Sequence, residues 1–218
     1  MDLQDIPRAI SIGAVPVVLA ITVPAVAAAF TAYALGDRTA KSQGLLSPNP
    51  LRYVTPIGTL LMPALLFFSG SPFLMGWPKM APIDARHFPH PRRDLALYAV
   101  SAPIANLLMA VAWAFVYGLV VRNAGRAGAA GFWLSDMAVV GLLTNVLLAV
   151  WNLVPIPPLA GGKLLIGALP LPAARVLASL EPYGIWIILG LIFLLNTLGW
   201  SLSPLIQRII GLIVTIFA

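Results

Sequence analysis

Apolar residues run through this chain in long blocks rather than alternating with polar ones. Read from charge to charge, windows free of Asp, Glu, Lys and Arg extend over Ala9–Gly36, Tyr53–Pro78, Leu95–Val121, Met137–Gly162 and Pro182–Gln207. Each exceeds the ~20 residues a helix needs to cross the hydrocarbon of a bilayer. That hydrocarbon admits only structures whose backbone groups are satisfied internally. The pattern predicts an all-α polytopic membrane protein, one transmembrane domain over residues 1–218. Its segments fall at about 9–35, 54–76, 95–121, 132–154 and 182–199, with a C-terminal stretch at 205–218.

Two of these runs leave the number of membrane segments between about four and six. Residues 54–76 carry Pro56, Gly58, Pro63, Gly70 and Pro72, a heavy load for one straight helix. The run either kinks across or dips in and returns on the same side. The last stretch, Leu205–Ala218, has 14 residues and is short of a crossing. Helix one contains Pro16 and Pro24 and is expected to bend near both. Tyr183, Trp186 and Trp200 bracket segment five as interfacial anchors do.

Composition agrees: 60% of residues are hydrophobic and 9% charged, a balance that requires lipid as part of the solvent. Cysteine is absent, which removes disulfides and thiolate metal sites from consideration. The net charge of +6 resides in short loops between apolar runs, so it reports topology and implies no nucleic acid as partner. Asp2 and Asp5 against a single Arg8 argue against a secretory signal, and the first segment is expected to remain in the mature chain.

Placement of the cations bears on segment two. If every run crosses, Lys and Arg divide seven against six. If the second re-enters, Arg38, Lys41, Arg52, Lys79, Arg86, Arg92, Arg93, Lys163 and Arg175 share one side, nine against four. The positive-inside rule favours the second arrangement, with those loops in the cytoplasm.

Several motifs occur in a fixed order. Gly36-Asp37-Arg38-Thr39-Ala40 follows segment one, and Leu46 to Gly58 has the form L-x-x-N-P-L-x-x-x-x-P-x-G. The loop from Gly76 to Asp94 ends in Pro91-Arg92-Arg93-Asp94, and Ser101-Ala102-Pro103-Ile104-Ala105-Asn106 lies in segment three. Segment four carries Thr144, Asn145 and Asn152 and runs into Asn152-Leu153-Val154-Pro155-Ile156-Pro157-Pro158-Leu159-Ala160-Gly161-Gly162. Together, from about residue 20 to about residue 190, they resemble the site-2 protease family of intramembrane zinc metalloproteases.

That resemblance implies a three-helix core with zinc held by an H-E-x-x-H helix and by the aspartate of N-x-x-P-x-P-x-x-D-G. Counting back from Gly36-Asp37, the family's histidines match Pro24 and Ala28, its glutamate Ala25, and its aspartate Ala160. None of these side chains has a lone pair to give a metal or to activate water. The resemblance thus implies a degenerate member with no catalytic residue, no metal and no cofactor. The remaining imidazoles, His87 and His90, stand in a Pro-rich loop and are expected to be solvated or interfacial.

Buried amides in lipid normally bond between helices. Asn106, Asn145 and Asn152 are expected to do so, or to retain contacts with a substrate strand in the former cleft beside Pro155 and Pro157. The expected role is a structural, accessory or regulatory subunit in a bacterial cytoplasmic membrane, with other integral membrane proteins and lipid as partners. The alternative is an active protease with ligands recruited elsewhere, such as His87 or Asp136.

Overall fold

The computed structural model describes residues 5–69, 76–198 and 202–217, and all regular elements among them are helical. Helix α1 (Asp5–Ala34) runs as one element through Pro16 and Pro24. Each proline lacks the amide that would bond to the carbonyl four residues earlier. For Pro24 that carbonyl belongs to Ala20, and Asn106 supplies a replacement donor from a neighbouring helix, Nδ2 lying 2.9 Å away.

After a single turn, α2 (Thr39–Ser42), the chain enters the run that composition left open. Pro56–Leu61 forms a π-helical turn and leads into α3 (Met62–Phe68). The two ends of this run are tied together. Trp77 donates its amide to Gly58 O at 3.0 Å, and Lys79 donates to Tyr53 O at 2.7 Å. The hydroxyls of Thr55 and Thr59 both reach Trp77 O. The described parts of the run thus leave and return at one place, the arrangement that the re-entrant alternative requires. Gly58 permits the closure, since a Cβ there would lie 2.5 Å from the Trp77 indole and carbonyl. Gly70 and Pro72 lie outside the described residues.

Helix α4 (Pro91–Arg122) starts on Pro91, whose missing amide costs nothing in a first turn. Buried Asp94 accepts from the His90 amide at 2.8 Å and closes that turn, which gives the P-R-R-D sequence a local purpose. Helix α5 (Ala124–Asn152) is broken at Gly128, where φ is +53°, and continues as a membrane-length run from Ala130. Among the described residues, Ile6–Ala34, Pro91–Arg122 and Ala130–Asn152 are long and apolar enough to cross a membrane.

These three helices pack on one another as the core. Ala20, Ala110, Ala114, Ala138 and Ala149 are almost wholly buried, and small side chains let helix backbones approach where lipid offers no hydrophobic drive. At one end of the bundle Arg8 and Asp136 pair at 2.8 Å, and the Trp133 indole donates to Ser11 Oγ at 3.0 Å.

The rest of the chain covers this bundle. Helices α6 (Ala160–Ala168) and α7 (Leu171–Ala178) follow the Pro-rich break. Arg92 fastens α6 to the start of α4 through the carbonyls of Ile166, Gly167 and Leu169. Helix α8 (Gly184–Thr197) has 14 residues, about 21 Å, so the predicted segment 182–199 is by itself shorter than the hydrocarbon. Tyr183 and Trp186 are exposed, whereas Trp200 lies outside the described residues. Helix α9 (Ser203–Phe217) lays Ile206, Ile209, Ile210, Ile213 and Val214 against α4 and α5, with Phe217 edge-on to Phe115. The C-terminal stretch therefore belongs to the packed bundle.

Candidate functional site

The break after α5 is where the helix bundle meets the Pro-rich sequence. Ile156 N bonds back to Val154 O at 2.8 Å and Leu159 N to Ile156 O at 2.9 Å, so the chain turns tightly before α6 begins at Ala160. The two glycines that follow are laid against this turn. A Cβ on Gly161 would sit 2.1 Å from Leu153 O, and one on Gly162 would sit 2.3 Å from Pro157 N. Pro157 is buried there and Pro155 is exposed.

Turned inward, Ala160 joins Ala28 and Ala32 of α1, Tyr98 and Ala99 of α4, and Phe88 of the preceding loop in one buried cluster. Ala25, three residues before Ala28, faces another way and packs with Ala29 against Tyr53. Pro24, immediately before Ala25, is also buried. The positions that the sequence resemblance assigns to ligands thus lie on elements that the fold brings together at Ala28 and Ala160. The side chains found there are methyl groups and a pyrrolidine ring. They do not fit a zinc ion, because none offers a lone pair. Among the described residues no group of three or more His, Asp or Glu is gathered to hold a metal.

The buried amides behave in two ways. Asn106 uses both hydrogens of its amide, one on Ala20 O and the other on Asn145 Oδ1 at 3.0 Å, while Asn145 Nδ2 donates to Gly141 O at 2.8 Å. Asn106 thereby ties α4 to both α1 and α5, while the Asn145 donor stays within α5. Asn152, expected with them, instead turns back to Leu148 O of its own helix at 2.9 Å and stays partly exposed. Asn145 makes the same bond four residues back along α5, but Asn152 has no further hydrogen bond to a neighbouring helix among the described residues.

A second constellation was not anticipated from the sequence. Asp37, 2% exposed, accepts from the amide and hydroxyl of Thr39, from the Asp84 amide at 2.8 Å and from His87 Nδ1 at 3.1 Å. Burial pushes the Asp37 carboxyl up, but these donors outweigh it and hold the group below the usual carboxylate range. Asp84 is held far down by the Arg86 guanidinium and amide. His87, expected as a solvated loop residue, is half exposed but engaged with this carboxylate. The hint was present: Asp-x-Thr is the pattern of a side chain that bonds its own backbone two residues on.

His87 and Asp136, the candidates for recruited ligands, lie at opposite ends of the bundle. Asp136 pairs with Arg8 near the start of α1, and His87 meets Asp37 beyond its end. A helix of 30 residues, about 45 Å, separates them. They cannot share one ion.

Comparison with known proteins gives two relatives. The chain is 28% identical over 200 residues to the Bacillus subtilis (strain 168) protein named "Putative zinc metalloprotease YwhC", an overlap of 88% of this chain and 84% of that one. It is 34% identical over 164 residues to the Mycolicibacterium smegmatis protein named "Putative zinc metalloprotease Rip2", covering 75% of this chain and 60% of that one. No protein-family model matches the chain. No solved structure matches it either.

Proposed function

We propose that this chain is a member of the site-2 protease family that has lost its metal chemistry and acts as a structural, accessory or regulatory subunit, binding other membrane proteins in the cytoplasmic membrane of a bacterium. The similarity to two proteins named as zinc metalloproteases supports the family. One observation carries the rest. Ala28 and Ala160, matching a histidine and the aspartate of the family, meet in a single buried apolar cluster, where neither side chain offers a lone pair.

In this reading the scaffold has kept what packing in lipid requires and lost what hydrolysis requires. Small residues and the Asn106–Asn145 pair hold the three helices together. Imidazoles and carboxylates, which are expensive inside a bilayer unless they have a task, are gone from the cleft. Alanines packed together are cheaper to keep in the membrane than an empty ligand set.

Elemental analysis of the full chain, purified in a gentle detergent, tests the loss of chemistry. The expected content is far below one zinc per chain, with no peptide cleavage that responds to chelation. Stoichiometric zinc together with chelator-sensitive cleavage overturns it. Mass spectrometry of the proteins that co-purify tests the accessory role, which predicts a reproducible integral membrane partner. Recovery of the chain alone overturns that part.

A further inference from the structure

Where the re-entrant run begins and ends, two basic side chains converge. Arg52 precedes the run and Lys79 follows it, and the Lys79 amide bonded to Tyr53 O fixes the two strands side by side. Between them lies a half-open cavity of about 250 Å³, lined also by Leu45, Tyr53 and Met80. No carboxylate lines it. Among the described residues Arg52 and Lys79 have no ion-pair partner, since Asp37, Asp84, Asp136 and Glu181 are paired elsewhere and Asp94 caps α4.

Depth and surroundings narrow the ligand. Tyr53, the floor of the cavity, packs on Ala25 and Ala29, five to nine residues before α1 ends at Ala34. That is roughly 8–14 Å along the helix axis, just beneath a headgroup layer of about 5–8 Å, at the edge of the hydrocarbon. Each cation has a large exposed apolar neighbour in sequence, Leu51 beside Arg52 and Met80 beside Lys79, with exposed Trp77 close by. Such side chains suit hydrocarbon, while the cations reach outward along their own apolar stems.

We propose that Arg52 and Lys79 form a binding site for the phosphate of an anionic phospholipid, whose acyl chains lie along Leu51, Trp77 and Met80. A guanidinium offers paired N–H donors that match phosphate oxygens, and an ammonium adds a point charge. The site depends on the closed base of the re-entrant run and stands apart from the alanine-lined cleft, so its fate is independent of the role proposed above.

The test is native mass spectrometry of the full chain with an equimolar mixture of phosphatidylglycerol and phosphatidylcholine. Wild type is expected to retain phosphatidylglycerol selectively. Removing both charges in R52Q/K79Q should weaken that retention about 25-fold, roughly fivefold for each cation at a lipid surface. R52K/K79R, which keeps both charges, should retain it, and this conservative variant guards against a mere folding defect. R175Q, an equal kind of charge loss at an exposed distant site, should change nothing. Equal retention of the two lipids overturns the proposal, as does an R175Q effect as large as that of R52Q/K79Q. Displacement of the lipid by 10 mM inorganic phosphate, roughly the concentration at which a free anion would compete for an exposed cation pair, overturns the lipid assignment.

Discussion

Asn106 Nδ2 lies 2.9 Å from the carbonyl oxygen of Ala20, and that carbonyl is the one Pro24 deprives of its helical partner. The proline and the asparagine therefore form a matched pair across two helices. N106A should destabilise the fold by roughly 1–2 kcal/mol, the upper part of the range for hydrogen bonds between membrane helices. In a P24A background residue 24 regains an amide and can bond to Ala20 O itself. The same N106A change should then cost less, by about 0.5–1 kcal/mol. Unfolding in a graded denaturing detergent reads both values, and equal costs in the two backgrounds would show that the residues are uncoupled.

If the alanines mark a vacated ligand set, the set can be refilled. The variant P24H/A25E/A28H/A160D places two imidazoles one turn apart on α1 and a carboxylate on α6, where Ala28 and Ala160 already share a cluster. It should hold about one zinc per chain through desalting, whereas the wild type should hold none. A folded variant that binds no zinc would show that the register assigned to α1 is wrong.

The Asp37 junction predicts a pH dependence. Its carboxyl is held below the ordinary value of 3.8 by donors from Thr39, Asp84 and His87. A group whose folded value is depressed stabilises the fold fully above its unfolded value, and that stabilisation is lost as pH falls through the folded one. D37N should therefore lower thermal stability at pH 7, by roughly 1.5–3 kcal/mol for a buried charged acceptor. The gap to wild type should narrow only below about pH 4. A gap that stays constant from pH 7 to pH 3 would refute this.

Adjacent residues in the Pro-rich turn should respond in opposite ways. At Gly161 a methyl would meet the Leu153 carbonyl at 2.1 Å, and backbone cannot move aside cheaply. G161A should cost at least about 3 kcal/mol, the upper end of overpacking penalties. A160G, one residue earlier, removes a methyl from a loosely closed cluster and should cost about 1 kcal/mol. Thermal melts of the two variants in one detergent give the comparison directly.

Much of the fold was legible because lipid imposes a simple rule on composition. Charge-free runs located α1, α4 and α5, and the nine-against-four division of cations favoured a returning run, whose two ends the Gly58–Trp77 and Tyr53–Lys79 bonds join. The periodic isoleucines of α9 were readable as a packed face, but length alone suggested an interfacial helix. Segment five, expected at about 182–199, contains α8 from Gly184 to Thr197, and apolarity did not reveal the separate turn at Glu181–Tyr183 before it.

At the site, the meeting of Ala28 with Ala160 followed from motif register, since alanine itself carries no signal. Asp37 was read only as an anchor for that register. Its four donors come from Thr39, Asp84 and His87, and the pairing of residues 50 positions apart is a tertiary fact that no local pattern encodes. Asn152 differs from Asn145 in another way: both bond back four residues along α5, but only Asn145 is also met by an amide from another helix, which spacing alone does not encode.

The turn at Leu153–Gly162 separates two demands by a single peptide unit. Architecture tolerates no bulk at 161 or 162, while 160 points away from that backbone, toward side chains of other helices. Reactivity can be erased at such a position by a point change that the folding machinery never notices. A lineage can therefore retire an enzyme and keep its body in service, and comparable turns in other membrane chains mark where to look for the same history.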